Sequence, residues 1–343
     1  MGRIERIIEN VSVPGRICLA GENIDWISGP VLTMAVNDLR TSVGIISKTE
    51  NNVSVRYQHL PLINDQFKIA TNYRYGRDSI DYVKSVVSTL RKSNYNISGM
   101  ELRIQSNLST SGGLASSGSF CVALVAAMNQ HFELGLDNEK IAEMAYVAEK
   151  EEMGIGCGQM DQYAVSLGGF LYLNCSTRPP EIQKLNSNEK VVVVIGDTGK
   201  SMRFSKVGEE LKKRLEKNDP SLREYIVKTE EAIQRIRKLL MVKGWNPEEV
   251  GNIINQCHEY IKIYKGINNP VIESYIEAAR ENGAYCAKTS GARSVGGCMF
   301  ALCSRENSNN ITNSIIKLGG IASVTSVADI GIRYNKLHDK FIA

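Results

Sequence analysis

The stretch from Asn107 to Ser119, Asn-Leu-Ser-Thr-Ser-Gly-Gly-Leu-Ala-Ser-Ser-Gly-Ser, constrains this chain more than any other. Residues 100–105 before it (Met-Glu-Leu-Arg-Ile-Gln) alternate as a half-buried strand does, and residues 120–129 after it form the compact apolar run of a buried helix. The join is therefore a loop feeding a helix N-terminus. Such a terminus carries unpaired N–H groups and the positive end of the helix dipole, and Gly112 and Gly113 let backbone approach a ligand with no Cβ in the way. That combination cradles phosphate. Ser116 and Ser117 add hydroxyls that can cap the helix or reach a phosphate-bound Mg²⁺. The same residues would also serve a plain N-capped core helix.

With 343 residues the chain has room for two domains, each with its own core. The net charge of +4 is a mild excess without a long basic run, which argues against nucleic acid as the main partner and suits an anionic ligand such as a nucleotide. No apolar run approaches the roughly 20 residues that span a bilayer, so a soluble, cytoplasmic protein without a membrane partner is expected. Eight scattered cysteines read as free, mostly buried thiols, and neither they nor the four histidines show zinc-site spacing. The oligomeric state is not legible.

Taken in order, residues 17–20 form a short strand that opens into Gly21-Glu-Asn-Ile-Asp-Trp. Glu22, Asn23 and Asp25 supply groups suited to a polyhydroxylated ligand, and Trp26 offers a flat face to a sugar ring; a turn with solvated acids is the plainer alternative. Residues 31–46, broken at Asn37-Asp38, and residues 53–57 suggest an antiparallel sheet, and 77–92 a structural helix. A helix starting near Asp137 closes on Glu149, Glu151 and Glu152; acids there oppose the dipole, so one of them is expected to face a cation while Glu151 and Glu152 otherwise form a solvated face. Gly154-Ile-Gly-Cys-Gly-Gln-Met-Asp places Asp161 in a short helix after three glycines, either as a cap or as a positioned carboxylate. Gly196-Asp-Thr-Gly-Lys-Ser has two residues between its glycines where a Walker loop needs four, so a Walker site is not expected. Amphipathic helices follow over about 206–264, their Lys-Glu alternation read as a solvated face, and strands flank the glycine-bearing loop 290–297.

In their order these segments resemble the GHMP kinases. Pro14-Gly-Arg-Ile-Cys-Leu-Ala-Gly-Glu-Asn-Ile-Asp-Trp is similar to the first family motif in its galactokinase form, Gly113-Leu-Ala-Ser-Ser-Gly to the second, and Lys288-Thr-Ser-Gly-Ala through Gly296-Gly-Cys to the third. Cys157-Gly-Gln-Met-Asp-Gln resembles the segment that carries the catalytic aspartate. The resemblance implies an α+β fold of two domains: an N-terminal ribosomal-protein-S5-like domain over 1–185 and a C-terminal ferredoxin-like α/β sandwich over 186–343. It implies transfer of the ATP γ-phosphate to a monosaccharide hydroxyl at C1, with Asp161 as base and Arg16 beside it neutralising developing charge. Ser117 and Glu149 would hold Mg²⁺, and Ser111, Gly112, Gly113, Leu114, Ala115, Ser116, Ser117 and Gly118 would hold the triphosphate. Glu22, Asn23, Asp25 and Trp26 would meet the sugar. Asn23 and Trp26 stand where galactokinases usually carry histidine and tyrosine, and Arg293, Ser294 and Val295 interrupt the third motif. Asp197-Thr-Gly-Lys-Ser is nearer the mevalonate kinase branch. A kinase of a non-sugar alcohol and a non-catalytic ATP and sugar sensor are the alternatives.

Overall fold

A computed structural model of the protein describes residues 8–58, 65–76, 78–110, 113–188, 190–200, 207–291 and 295–337. Its first layer is a mixed sheet of β1 (Ile8–Ala20), β2 (Pro30–Ser47), β3 (Asn52–Tyr57), β4 (Asp65–Lys68), β5 (Met100–Ser106), β6 (Phe170–Asn174) and β7 (Glu181–Leu185). Around it lie α1 (Ser79–Lys92), α2 (Ser116–His131), α3 (Asn138–Val147) and α4 (Met160–Leu167). A second sheet comprises β8 (Val191–Asp197), β9 (Cys286–Ser290), β10 (Cys298–Ser304) and β11 (Ile321–Thr325). It is covered by α6 (Pro220–Leu240), α7 (Pro247–Lys265), α8 (Pro270–Glu281) and α9 (Arg305–Lys317), and α5 (Val207–Glu216) packs against α6. The last strand, β12 (Arg333–Leu337), returns to the first sheet and pairs with β1. A division at residue 185 thus leaves one C-terminal strand on the N-terminal side.

The long strand β2 organises the first sheet. One edge pairs with β1; on the other, Pro30 to Met34 pair with β6 and Thr41 to Ser47 with β5. The break expected at Asn37-Asp38 is a bulge within one continuous strand, because the register on β1 jumps from Arg40 opposite Pro14 to Val36 opposite Gly15. The sheet is not purely antiparallel as the sequence suggested: β3 runs parallel to β5. The two are joined by a long connection through β4 and α1 and not by a tight turn, and only such a connection lets neighbouring strands run parallel. Helix α2 is apolar all round because it is buried all round, from Cys121 to Met128.

In the second sheet Val191 to Ile195 are all buried because helices cover both faces. Val191, Val193 and Ile195 meet Ile233 and Ile236 of α6 and Ile254 of α7; Val192 and Val194 meet Ile272 and Ile276 of α8 and Ile311 and Ile315 of α9. The first of these faces also packs with Ile17, Leu19, Leu32 and Met34 of β1 and β2, so the two sheets share a core. Helices α6, α7 and α8 start alike, on Asp219-Pro220, Asn246-Pro247 and Asn269-Pro270, where the side chain caps the first N–H groups and proline takes the position that needs none. Gly196 and Asp197 of the Walker-like segment finish β8 and pair with β10; Ser201 lies outside the described residues. Among the described residues no helix is long and apolar enough to cross a membrane.

Candidate active site

The end of β1, the start of α2 and the start of α4 converge where the two sheets meet. Arg16 is buried in β1, with Nε and Nη2 donating to Asp161 Oδ1 at 2.9 and 2.5 Å. Its Nη1 donates to Gly113 O at 2.7 Å, and its backbone N–H to Leu114 O at 3.0 Å. One guanidinium thereby ties the α2 loop to the α4 carboxylate. The Asp161 side chain remains 27% exposed, and among the described residues its Oδ2 has no hydrogen-bond partner. Gly118, in the first turn of α2, explains the close approach: a Cβ there would lie 2.8 Å from the Asp161 Cβ.

The loops around positions 113 and 291 touch backbone to backbone. A Cβ on Gly113 would lie 2.1 Å from Ser290 O, and one on Gly291 would lie 2.9 Å from Gly113 Cα; both residues have positive φ. Ser290 Oγ donates to Gly113 O at 2.6 Å. Leu114, Ala115, Ser116, Ser117 and Gly118 then lead into α2, with Ala115 held at φ 60 as the N-cap. Ser111 and Gly112, and Arg293 and Ser294 of the third motif, lie outside the described residues; Val295 is 52% exposed.

Helix α3 ends in a π-helical turn, Ala148–Glu152, that swings Glu149 inward. Glu149 is buried, accepts from Gln162 Nε2 at 2.7 Å and lies near the Ser117 hydroxyl, which favours its ionised form. Burial pushes its carboxyl up to about 7, with Asp161 adding to the rise. Among the described residues no lysine or arginine pairs with it. Of the neighbouring acids, Glu152 is the one that meets a cation most closely enclosed, accepting from Lys92 at 2.7 Å and from Tyr75 and Ser88, so it is not a solvated acid. Glu151 is exposed and paired with Arg178.

The segment Gly21 to Gly29 forms the other wall, around a 3₁₀ turn at Asp25–Ile27. Asp25 Oδ2 accepts from Met160 N at 3.1 Å, a contact open only because Gly158 has no Cβ; one there would lie 2.0 Å from that oxygen. Asp25 Oδ1 is buried with no partner. Burial, reinforced by the Asp161 charge, pushes Asp25 up to about 7. Trp26 borders Gly156. The Glu22 carboxylate accepts from Lys288 Nζ, and Asn23 Oδ1 accepts from Lys265 Nζ at 2.7 Å.

Lys265, Lys288 and Gln162 were not among the site residues read from sequence. Lys265 falls on the stripe Val250, Ile254, Ile261 and Lys265 of α7, all buried, and that spacing was the available signal; the solvated-face reading of the helix does not hold for it.

The raised Asp25 gives a signed expectation. Between about pH 4 and about 7 the folded chain keeps a proton that the unfolded chain has released, so this group's contribution to stability falls as pH rises through that window. The difference in thermal midpoint between Asp25→Asn and the wild type should therefore grow in the variant's favour from about pH 5 to about pH 8. A difference that stays flat with pH would show that Asp25 is not titrating as described.

A helix start entered through glycine, a carboxylate fixed by arginine and a buried polar segment meet here, an arrangement suited to phosphoryl transfer. Family models agree. The GHMP kinases N terminal domain matches residues 81–169 and the GHMP kinases C terminal domain matches residues 237–320. The chain belongs to the GHMP kinase family, has its two-domain fold of mixed helix and strand, and is a phosphotransferase. Among its relatives are a galactokinase of Pyrococcus furiosus, 27% identical with 90% of this chain and 92% of the relative covered, and a mevalonate kinase of Thermococcus onnurineus, 25% identical with 95% and 98% covered. The crystal structure of Lactococcus lactis galactokinase complexed with galactose superposes with a TM-score of 0.82 at 22% identity, covering 96% of this chain and 95% of that one.

Proposed function

We propose that this protein transfers the γ-phosphate of ATP to a hydroxyl of a monosaccharide, at C1 by likeness to the galactokinases. The observation that carries the acceptor class is Asp25. A buried carboxylate oxygen without a partner is satisfied by a hydroxyl and repels an acceptor that is itself a carboxylate, such as mevalonate. Of the nearby cations, Lys288 is paired with the Glu22 carboxylate, while Lys265 is held by the neutral oxygens of Glu22 O and Asn23 Oδ1.

In this reading ATP lies against the start of α2, its phosphates facing residues 113–118. Asp161 takes the acceptor hydroxyl's proton at Oδ2 while Arg16 holds Oδ1 and brings positive charge to the reacting oxygens. Asp25, Glu22 and Asn23 orient the sugar, and Trp26 lies against its ring. The pair Ser117 and Glu149 fits Mg²⁺: it is a hydroxyl near a buried carboxylate, hard oxygens with no lysine or arginine on the acid among the described residues. When bound, the ion supplies charge neutralisation between the phosphates.

Coupled ADP release from Mg²⁺-ATP tests this over galactose, glucose, arabinose, uronic acids, N-acetylhexosamines, inositol and mevalonate. Turnover on one neutral monosaccharide at a kcat/KM at least about 100-fold above that on mevalonate is expected. Preference for mevalonate would overturn the acceptor class, and ATP binding without ADP release on any acceptor would favour a sensor.

A further inference from the structure

The acceptor wall is held from the other half of the molecule. Gly21, Asn23 and Ser28 all have positive φ, and two of these are not glycine, so the segment holds a backbone conformation that side chains other than glycine disfavour. Glu22, Asn23, Ile24 and Asp25 are nevertheless buried. Short turns such as Gly29 N to Ile24 O at 2.9 Å close the segment locally, and beside Met160 N on Asp25 its long-range partners come from α6, α7 and β9. Tyr225 OH and Lys265 Nζ both donate to Glu22 O at 3.1 Å, Lys288 meets the Glu22 carboxylate, and Ile24 packs with Leu222, Tyr225 and Ile261.

Lys265 is the unusual member. It is 5% exposed, at the end of α7, and among the described residues no carboxylate pairs with it. Its company is two neutral oxygens and the Tyr225 ring, 5.1 Å from Nζ. A buried ammonium is costly, and an apolar side chain would pack the same space at less expense. Its position is also fixed from outside, since Arg214 donates to Lys265 O at 3.0 Å and to Tyr264 O at 3.1 Å while pairing with Asp219. What the ammonium does that an apolar group cannot is orient an amide. Burial lowers its pKa to about 7, and in its protonated form it only donates, so Asn23 turns Oδ1 toward it and the end left over is Nδ2 with two N–H donors. Nδ2 has no hydrogen-bond partner among the described residues.

We infer that Lys265 is a positioning and specificity-determining residue, which locks the Asn23 amide so that Nδ2 donates to one acceptor hydroxyl while Asp25 Oδ1 accepts from another. A donor beside an acceptor selects a polyol, whose hydroxyls both give and take hydrogen bonds, over a carboxylate or an apolar chain. The inference rests on the proposed reaction and adds the group that sets its acceptor preference.

The test separates the lock from a merely structural lysine. Asn23→Asp keeps an acceptor for Lys265 and removes the donor, so the acceptor KM should rise about tenfold with kcat and the ATP KM within about twofold. Lys265→Met frees the amide to flip and should raise the same KM by several-fold, and the double variant should fall short of the product of the two. Among singly deoxygenated acceptors, one should lose affinity for the wild type and not for Asn23→Asp. An unchanged acceptor KM in both variants, multiplying effects, or equal losses on every deoxy analogue would overturn the inference. If no acceptor turns over at all, the proposed reaction fails first. The lock is then read from the difference emission spectrum of Trp26, red-shifted in Lys265→Met if it holds the segment and unchanged if it does not.

Discussion

Replacing Asp161 by Asn is expected to lower kcat by about a thousandfold or more, within the range general-base removal gives, while the KM values for ATP and acceptor change by less than about threefold. Asn fills the same volume and can still accept from Arg16 through its oxygen, so the geometry in which Nε and Nη2 both meet Oδ1 survives. What is lost is the second oxygen's ability to take a proton. The substitution also leaves the buried Arg16 without its counter-charge, which lowers stability. Because Asp161 is 27% exposed, solvent screens part of that cost, and a loss of about 1–2 kcal/mol is expected. Steady-state kinetics with a thermal melt of the same preparation separates the two effects. A variant that melts near wild type yet keeps more than a tenth of kcat would exclude Asp161 as the base.

The second large effect is expected from Gly113→Ala. Position 113 has φ +83, and the new Cβ would meet Ser290 O at 2.1 Å, a backbone atom that cannot swing aside. Nor can the facing loop withdraw freely, since Ser290 is in β9 and Gly291 already lies against Gly113. Left-handed backbone and clash together should cost about 2–4 kcal/mol. Gly113 O would be displaced from Arg16 and Ser290, separating the two loops proposed to enclose the phosphates. An ATP KM at least about tenfold higher, with kcat also reduced, is the expected kinetic result. Gly244→Ala is the control: its φ of +67 is equally left-handed, but a Cβ there meets nothing within 4 Å, so it should lose only about 1 kcal/mol and leave the kinetics alone. Equal behaviour of the two variants would mean that contact between the loops is irrelevant to nucleotide binding.

Much of this fold is written locally. The alternation at 100–105, the apolar run at 120–129 and the Asx-Pro starts of α6, α7 and α8 each report a structure decided within a few residues. What escaped was decided at long range. The parallel pairing of β3 with β5 is made across a connection that holds both β4 and α1, and β12 returns across the whole chain to β1. The site divides the same way. Asp161 stands out as a carboxylate after three glycines, whereas Arg16 and Glu149 are picked out by the family resemblance; the structure joins Arg16 to Asp161 and sets Glu149 within reach of the Asp161 charge. Lys265 did not stand out, because a lysine at the end of a helix looks solvated until the buried stripe it shares with Ile254 and Ile261 is traced. Glu149 itself turns inward through a π-helical turn that no residue pattern announces.

The central claim, that Asp161 delivers a hydroxyl of a neutral sugar to the ATP γ-phosphate, is tested most directly by ³¹P NMR of the product formed from Mg²⁺-ATP and the best acceptor. The expected spectrum gains ADP and one phosphomonoester resonance, split by the anomeric proton, and neither appears at a comparable rate with Asp161→Asn. ADP with inorganic phosphate alone, a phosphorylated mevalonate, or an undiminished product signal from the variant would contradict it.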